Sequence, residues 1–375
     1  MTWQERARDA HSVLVGQYWV EPAGLFRVDA SWRGCVTALV PWGAWHYWWQ
    51  AHALEVLLDA HEAGDDGAGQ RAVRLLQGST RRSHRDLTAN PYYDDLAWMG
   101  LATLRAHSLG LIGMRTPRAL ADAVAAGWDS ALGGVRWRIG DEFRNVAATA
   151  PSAMLLAGVS QMDGDARRLV IGRAAADWLH ATVVDPCGIV WDGCRPRAGL
   201  LVPEGRLWSY NVGTVAGLDV ALAGMSDADE ARRLMARAAT VVRAGTAALR
   251  AGCAEVDEAV AFLSAGSAPP GPPGIWRDEL GDGVGADPQL FRGILARYAT
   301  NLVLADPTLI DVAQDLVVQA EAAWAARDDR GRISALWGAE GASIAPATSA
   351  STLAAHLSGA LTLGSVARLE RAGLI

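Results

Sequence analysis

Two consecutive carboxylates, Asp94 and Asp95, are the residues whose types and spacing most clearly suggest catalysis. They follow Pro91 and two tyrosines, Tyr92 and Tyr93, where a helix is expected to start. Like charges at close range cannot both ionise cheaply, so the two pKa values are expected to separate. An ionised carboxylate beside a protonated one supplies the nucleophile and the proton donor that cleavage of a glycosidic bond requires.

A simpler interpretation of the same pair is electrostatic. The free N–H groups and the positive dipole end at a helix N-terminus attract acidic side chains, whether or not those side chains react. The same field also favours an ionised carboxylate that is suited to nucleophilic attack. The pair alone therefore leaves both interpretations open.

Composition and charge exclude several classes of protein. The chain has 375 residues, 51% of them hydrophobic and 20% charged, which is enough apolar material for an extensive core. The net charge of −7 argues against nucleic acid or an anionic membrane as a partner, since both select basic surfaces. No apolar run approaches the roughly 20 residues that span a bilayer. The first residues lack the basic-then-apolar order of a signal peptide, so we expect a cytoplasmic protein, or a secreted one if a leader has been removed.

The four cysteines and eight histidines show none of the spacings of a zinc site, a redox motif or a metalloprotease. We therefore predict free thiols, no bound metal and no cofactor. We also expect the protein to act as a monomer.

Tryptophan is abundant, with 16 residues against only four phenylalanines. Trp42, Trp45, Trp48 and Trp49 are more closely spaced than one helix face can bury. The flat indole suits the C–H face of a sugar ring, although core packing is an equally ordinary use of tryptophan. One or two of these residues are expected to line a cleft.

The spacing of apolar residues follows the helical period along the whole chain. Gly64 and Gly110 follow two of the helical segments as expected C-caps. Longer loops are expected at 131–141, 185–209 and 264–286, and loops of this length usually carry function. About twelve helices are predicted, at 2–19, 43–63, 67–84, 92–109, 117–130, 142–161, 164–182, 210–224, 226–249, 287–304, 307–326 and 347–371.

Twelve helices with alternating short and long connections fit a closed ring of six helical hairpins. The proline-rich stretch 269–273 resembles a linker in composition, but the helical pattern is alike on both of its sides. We therefore predict one all-α domain over residues 1–375.

Six short motifs follow one another between about residues 45 and 300. They are Trp49-Gln50-Ala51-His52, Tyr92-Tyr93-Asp94-Asp95 with Trp98, Gly133-Gly134-Val135-Arg136-Trp137 with Arg144-Asn145, Asp192-Gly193, Tyr210-Asn211-Val212-Gly213, and Asp278-Glu279 with Phe291-Arg292-Gly293. In this order they resemble the glycoside hydrolase family 76 α-1,6-mannanases. Val212 departs from that resemblance because it lacks the glutamine amide that could bind a sugar hydroxyl, and arginine replaces lysine at 144 and 292.

The resemblance implies an (α/α)6 barrel that hydrolyses α-1,6-mannosidic linkages in mannan or manno-oligosaccharides with retention of configuration. It implies that Asp94 is the nucleophile and Asp95 the general acid/base. The residues proposed to bind substrate are Trp48, Trp49, Gln50, Tyr92, Tyr93, Trp98, Asn145, Asp192, Tyr210, Asn211, Asp278, Glu279, Phe291 and Arg292. For the polar members, loop or cap stabilisation is the alternative; for the tryptophans, it is core packing.

Other functions stay open from the sequence. One is a different sugar-active enzyme on the same barrel, such as an epimerase or an unsaturated-uronyl hydrolase, although the histidine pairing typical of such epimerases does not stand out. Another is a glycan-binding relative without activity. A transglycosylase, in which sugar replaces water in the second step, is a variant of the first interpretation.

Overall fold

The computed structural model describes residues 1–40, 43, 45–265, 274–280, 285–338 and 352–375. The proline-rich stretch 269–273 and Trp42 lie outside these described residues. The helices in chain order are α1 (Trp3–Tyr18), α2 (Trp32–Leu39), α3 (Tyr47–Glu62), α4 (Asp66–Arg82), α5 (Tyr93–Ser108), α6 (Arg115–Ala125), α7 (Val146–Asp163), α8 (Ala166–Thr182), α9 (Ser209–Ala223), α10 (Ala228–Ala251), α11 (Val256–Ser264), α12 (Pro288–Ala305), α13 (Ile310–Ala325) and α14 (Leu353–Arg371).

Six of the helices form a closed inner ring, in which α3, α5, α7, α9, α12 and α14 each pack against the next and α14 returns to α3. Six more, α1, α4, α6, α8, α10 and α13, pack around this ring from outside. This arrangement is the predicted (α/α)6 barrel.

The composition of each helix explains its layer. Nearly every side chain of α7 and α14 is buried, because an inner helix is covered by ring neighbours and by the outer layer. The outer helix α4 buries only one stripe, which includes Ala68, Ala72, Leu75 and Ser79 at helical spacing.

The inner helices approach one another most closely where glycine removes the side chain. Gly293 on α12 lies against the backbone of α14, and a Cβ atom at this position would lie 2.6 Å from the carbonyl oxygen of Ser358. The Gly293 N–H donates to Ser358 Oγ at 3.0 Å. Because the obstacle is backbone, it cannot move aside as a flexible side chain can.

Short strands join some helices, and the sequence did not predict them. They are β1 (Trp19–Val20), β2 (Leu25–Phe26), β3 (Arg144–Asn145), β4 (Gly193–Arg197) and β5 (Leu200–Glu204). The hairpin of β4 and β5 occupies the predicted loop 185–209, and β3 pairs with its first strand. Its tight turn uses Ala198 and Gly199, both at positive φ, and Ala-Gly is not a recognisable hairpin signal.

Among the described residues, helix boundaries otherwise follow the prediction within a few residues, except that α2 and α11 were missed as separate short helices. The predicted start of the last helix, at 347–351, and parts of the predicted loop 264–286 lie outside the described residues. Gly64 and Gly110 adopt positive φ just after α3 and α5, which confirms their predicted place at helix ends. All four cysteines are unpaired, as expected. Within the described residues, no helix combines the length and hydropathy that a bilayer-spanning segment needs.

Replacing Gly293 with alanine is expected to destabilise the fold by about 1–3 kcal/mol, because the new methyl group overlaps the backbone of α14. Gly16 is the matched control: it is an exposed glycine within α1, and a Cβ atom there meets nothing within 4 Å. Gly16→Ala is expected to stabilise the protein by about 0.5–1 kcal/mol. Urea unfolding of both variants measures the difference, and equal effects would contradict the packing described here.

Candidate active site

A cleft of about 310 Å³ opens at the end of the barrel where the inner helices begin. Five inner helices contribute a residue from their first turn or N-cap, namely Trp48, Asp94, Asn145, Tyr210 and Asp287. Trp98, Trp137, Phe143, Ala147, Asp192, Arg195, Phe291 and Ile294 complete its lining. The free N–H groups and positive dipole ends of these helices therefore surround the cleft.

Asp94 lines the cleft as the second residue of α5. Its carboxylate accepts a hydrogen bond from the backbone N–H of Asp95 at 2.9 Å and one from the Trp137 indole N–H at 3.0 Å. Burial raises the pKa of Asp94 above its ordinary value, and the two hydrogen bonds oppose that rise by stabilising the ionised form.

Asp95 lies next to Asp94 but bonds to a different partner. Its Oδ2 accepts from the Asn90 side-chain amide at 2.7 Å, and Asn90 in turn accepts from the Tyr92 N–H. Burial and then the charge of Asp94 raise the pKa of Asp95 well above its ordinary value. The pair is therefore asymmetric: two N–H donors stabilise the ionised form of Asp94 against the effect of burial, whereas burial and the charge of Asp94 favour Asp95 as an acid.

Trp137 fixes the geometry of the pair. Its carbonyl oxygen accepts from the Tyr93 N–H at 2.9 Å, so the 131–141 loop is tied to the start of α5. The Tyr92 ring packs edge-on against the Trp137 ring, with centroids 5.2 Å apart. Tyr92 and Tyr93 thus support the carboxylates from outside the cleft, and the structure places neither among the residues that line it.

A further carboxylate, Asp192, faces the same cleft from the loop before β4. It accepts hydrogen bonds from the Tyr210 hydroxyl at 3.3 Å and from the Asn211 amide at 3.0 Å. Burial raises its pKa to about 6. Asn211 is itself fully buried, so it positions Asp192 from behind.

Aromatic rings form much of the remaining wall. Phe291 lies 4.2 Å from the Tyr210 ring and 6.2 Å from the Trp48 ring, measured between centroids. Trp98 and Trp48 both pack on His52, which is buried, and neither of its ring nitrogens has a hydrogen-bond partner among the described residues. Aromatic faces combined with several carboxylates suit a neutral polyhydroxylated ligand.

Two predicted substrate contacts on α3 are corrected by the structure. Gln50 is fully buried, and its amide exchanges two 2.9 Å hydrogen bonds with the backbone of Phe26, so it holds β2 against the barrel. Trp49 is only 2% exposed and donates its indole N–H to Asp287 at 3.1 Å. Sequence spacing could not separate these two residues from Trp48, whose ring does line the cleft.

The structure also places Asp278, Glu279 and Arg292 outside the cleft. Asp278 is buried and accepts from both the backbone N–H and the hydroxyl of Ser209, the first residue of α9. Glu279 forms an exposed ion pair with Arg206. Arg292 is buried against the Trp337 ring, so its role is to anchor chain segments.

The first residues of two inner helices refine the predicted motifs. Asn145 caps α7, because its side chain accepts from the Ala148 N–H, and the residue also lines the cleft. Arg144 is buried in an ion pair with Asp129, which anchors the 131–141 loop. Val212 packs towards Gly245 on the outer helix α10, so this departure from the expected glutamine does not alter the cleft wall.

Sequence reasoning missed Asp287, Phe143 and Arg195, and it did not assign Trp137 a role in the site. Asp287 stands before Pro288 and looked only like a helix start. Phe143 lies in the loop before β3. Arg195 lies on β4, a strand that the sequence did not predict. In the described part of the chain, no group of three or more His, Cys, Asp or Glu side chains is arranged to hold a metal ion.

Comparison with known proteins now places the chain in a family. The sequence profile of Glycosyl hydrolase family 76 matches residues 3–355. The chain belongs to glycosyl hydrolase family 76. No curated protein sequence matches it.

Solved structures of this family share the fold. The GH76A α-1,6-mannanase from a Salegentibacter species has a TM-score of 0.79 at 23% identity, and the match covers 98% of this chain and 100% of that one. An inactive variant of that enzyme, with alanine at two consecutive aspartates, is known in complex with α-1,6-mannotetrose, with a TM-score of 0.80, 23% identity and the same coverage. A protein from Listeria innocua has a TM-score of 0.78 at 22% identity, with 99% of both chains covered.

The raised pKa of Asp94 predicts a pH-dependent gain in stability for Asp94→Asn. As the pH rises above the ordinary carboxyl pKa of about 4, the unfolded chain loses its proton before the folded protein does, so wild-type stability falls. Asparagine does not titrate, so the variant is expected to exceed wild type at pH 7.5 by at least about 1 kcal/mol and to approach it near pH 4.

Denaturant unfolding of both proteins at the two pH values measures this gain. Asp177→Asn is the control, because Asp177 lies on the outer helix α8 with its side chain 83% exposed. The control is expected to stay within about 0.5 kcal/mol of wild type at both pH values. A loss of stability at pH 7.5 in Asp94→Asn would show that the Asp94 environment does not disfavour its charge.

Proposed function

We propose that this member of glycosyl hydrolase family 76 hydrolyses α-1,6-mannosidic linkages with retention of configuration. The observation that carries the proposal is the asymmetric pair at the start of α5, in which Asp94 lines the cleft and Asp95 is its neighbour. Trp137 and the Asp95 N–H stabilise the ionised form of Asp94, while Asp95 is favoured in its protonated form. A related α-1,6-mannanase is inactive when two consecutive aspartates are replaced, which supports a catalytic role for the consecutive pair here.

In the first step, a carboxylate oxygen of Asp94 attacks the anomeric carbon, and Asp95 transfers its proton to the departing glycosidic oxygen. This forms a glycosyl ester on Asp94 and leaves Asp95 ionised. In the second step, Asp95 takes a proton from water, which attacks the same carbon and releases Asp94. Each residue thus returns to its starting state.

Retention is favoured by the position of the two acids. Retaining enzymes place their carboxyl groups about 5–5.5 Å apart, whereas inverting enzymes leave room for a water molecule between them. Asp94 and Asp95 are consecutive on α5, so their Cα atoms are only about 3.8 Å apart. This spacing favours the short distance between carboxyl groups that is typical of retaining enzymes.

The cleft wall favours a neutral sugar chain. Trp48, Phe291 and Tyr210 offer aromatic surface, and Asp192 and Asn145 offer acceptors for hydroxyl groups. Among the described residues of the lining there is no histidine, so a histidine-based epimerase is not supported. We therefore propose mannan or manno-oligosaccharides as substrate, as in the related mannanase that binds α-1,6-mannotetrose.

The activity prediction uses α-1,6-mannotetraose and the two asparagine variants. Asp95→Asn is expected to lower kcat by roughly 10²–10⁴-fold because the leaving oxygen loses its proton donor. Asp94→Asn is expected to lose at least as much because the nucleophile is gone. Chromatography of the products over time measures both rates, with Asp177→Asn as a control that keeps wild-type activity. If either active-site variant matches wild type, the mechanism is wrong.

The roles of the two residues separate with an activated substrate, a dinitrophenyl α-1,6-manno-oligoside. Its leaving group departs without a proton, so Asp95→Asn should release dinitrophenol in a first burst while Asp94→Asn stays inactive. Proton NMR of the first wild-type product should show the α anomer. A β anomer would indicate inversion and overturn the nucleophilic role of Asp94.

A further inference from the structure

Asp287 is a cleft carboxylate that the proposed mechanism does not use. It is the N-cap residue of α12, where an aspartate ordinarily accepts hydrogen bonds from the first N–H groups of its own helix. Its side chain makes no such bond. Instead, Oδ1 accepts from the indole N–H of Trp49 on α3, at 3.1 Å, and the residue lines the same cleft as Asp94. A role in helix capping therefore does not explain this aspartate.

Other parts of the structure hold Asp287 in this position. Pro288 begins α12 directly after it, and proline at this position fixes the backbone for the helix. Trp49 is buried and stacked on the His46 ring, with centroids 3.8 Å apart, so its N–H points in a fixed direction. The carboxylate is thereby presented to the cleft from the wall formed by α3 and α12.

Several titratable groups face the Asp94–Asp95 pair from the elements packed around it. Asp94 faces Asp95 from α5 itself, Asp287 faces both from α12, and Tyr47 faces Asp95 from α3. Tyr210 faces Asp94 from α9, Asp192 lines the same cleft from the loop before β4, and His46 lies beside Asp287. Arg195 lines the cleft but is ion-paired with Asp141 and Glu204.

We propose that Asp287 is a positioning residue whose negative charge keeps the catalytic proton on Asp95. The proposal rests on the proposed function, because it assigns Asp95 as the acid. Asp287 is well placed for this role, since it lines the same cleft as Asp94, the neighbour of Asp95 on α5, and its bond to Trp49 fixes it without neutralising it. The charge of Asp287 also raises the pKa of both Asp94 and Asp95, although by less than burial does. A nearby anion opposes ionisation of the pair without taking part in bond making.

The test is Asp287→Asn, which removes the charge and keeps the size and an oxygen that can accept from Trp49. On α-1,6-mannotetraose, the alkaline limb of the kcat/KM profile is expected to move to lower pH by about one unit. At pH values on that limb the variant should lose up to about tenfold in rate, while at the acidic plateau it should stay within about threefold of wild type. Trp49→Phe, which keeps the charge but frees the carboxylate, is expected to shift the limb less.

A direct titration separates this inference from the proposed function. Carbon-13 NMR of labelled aspartate carboxyl groups in the free protein reports the two apparent pKa values of the Asp94–Asp95 pair, with Asp94→Asn and Asp95→Asn for assignment. Both values are expected to fall in Asp287→Asn and to stay unchanged in Asp177→Asn. This readout needs no substrate, so absence of mannan cleavage by wild type would reject the proposed function alone.

Two results would overturn the inference. In the first, the limb and the titration stay unchanged while KM rises about tenfold, which would make Asp287 a sugar contact. In the second, both stay unchanged while the melting temperature falls, which would make it a structural residue. Asp287→Glu keeps the negative charge. It is therefore expected to keep the alkaline limb of the kcat/KM profile at its wild-type position.

Discussion

The concentration of negative charge in one cleft is the constraint on which the rest of this structure depends. Asp94, Asp192 and Asp287 line one small cleft, Asp95 adjoins Asp94, and the charge of Asp287 adds to the effect of burial in raising the pKa of both Asp94 and Asp95. The closed ring makes this arrangement tolerable, because it brings the N-terminal ends of five inner helices to the same rim. Their free N–H groups and dipoles offset part of the repulsion that the carboxylates create.

Each carboxylate then differs from the others through its hydrogen-bond partners. Asp94 has two N–H donors, Asp95 has the amide of Asn90, and Asp287 has the indole of Trp49. Asp94 and Asp95 thereby obtain different proton affinities within one site, which a two-carboxylate mechanism requires. The arrangement costs folding stability, and the cost is met by the extensive buried core of the barrel.

The sequence predicted the helical ring and the position of the Asp94–Asp95 pair at a helix start, and it predicted the cleft wall only in part. Helical periodicity is local, so most of the helices could be located from the chain alone. Trp48 and Phe291 line the cleft as expected, but Gln50, Asp278 and Arg292 turned out to bond backbone or neighbouring side chains. Their residue types suit either role, and only their neighbours in space decide between sugar contact and support.

The sequence by itself determined the elements and their chemistry: apolar periodicity dictates the helices, and two adjacent aspartates at a helix start dictate a coupled acid pair. Only the tertiary structure decided which groups surround that pair. Trp137 and Asp287 reach the cleft from segments about 40 and 190 residues away along the chain, brought there by ring closure. The physical reason is that proton affinity depends on burial and on charges in space, whereas sequence order fixes neither.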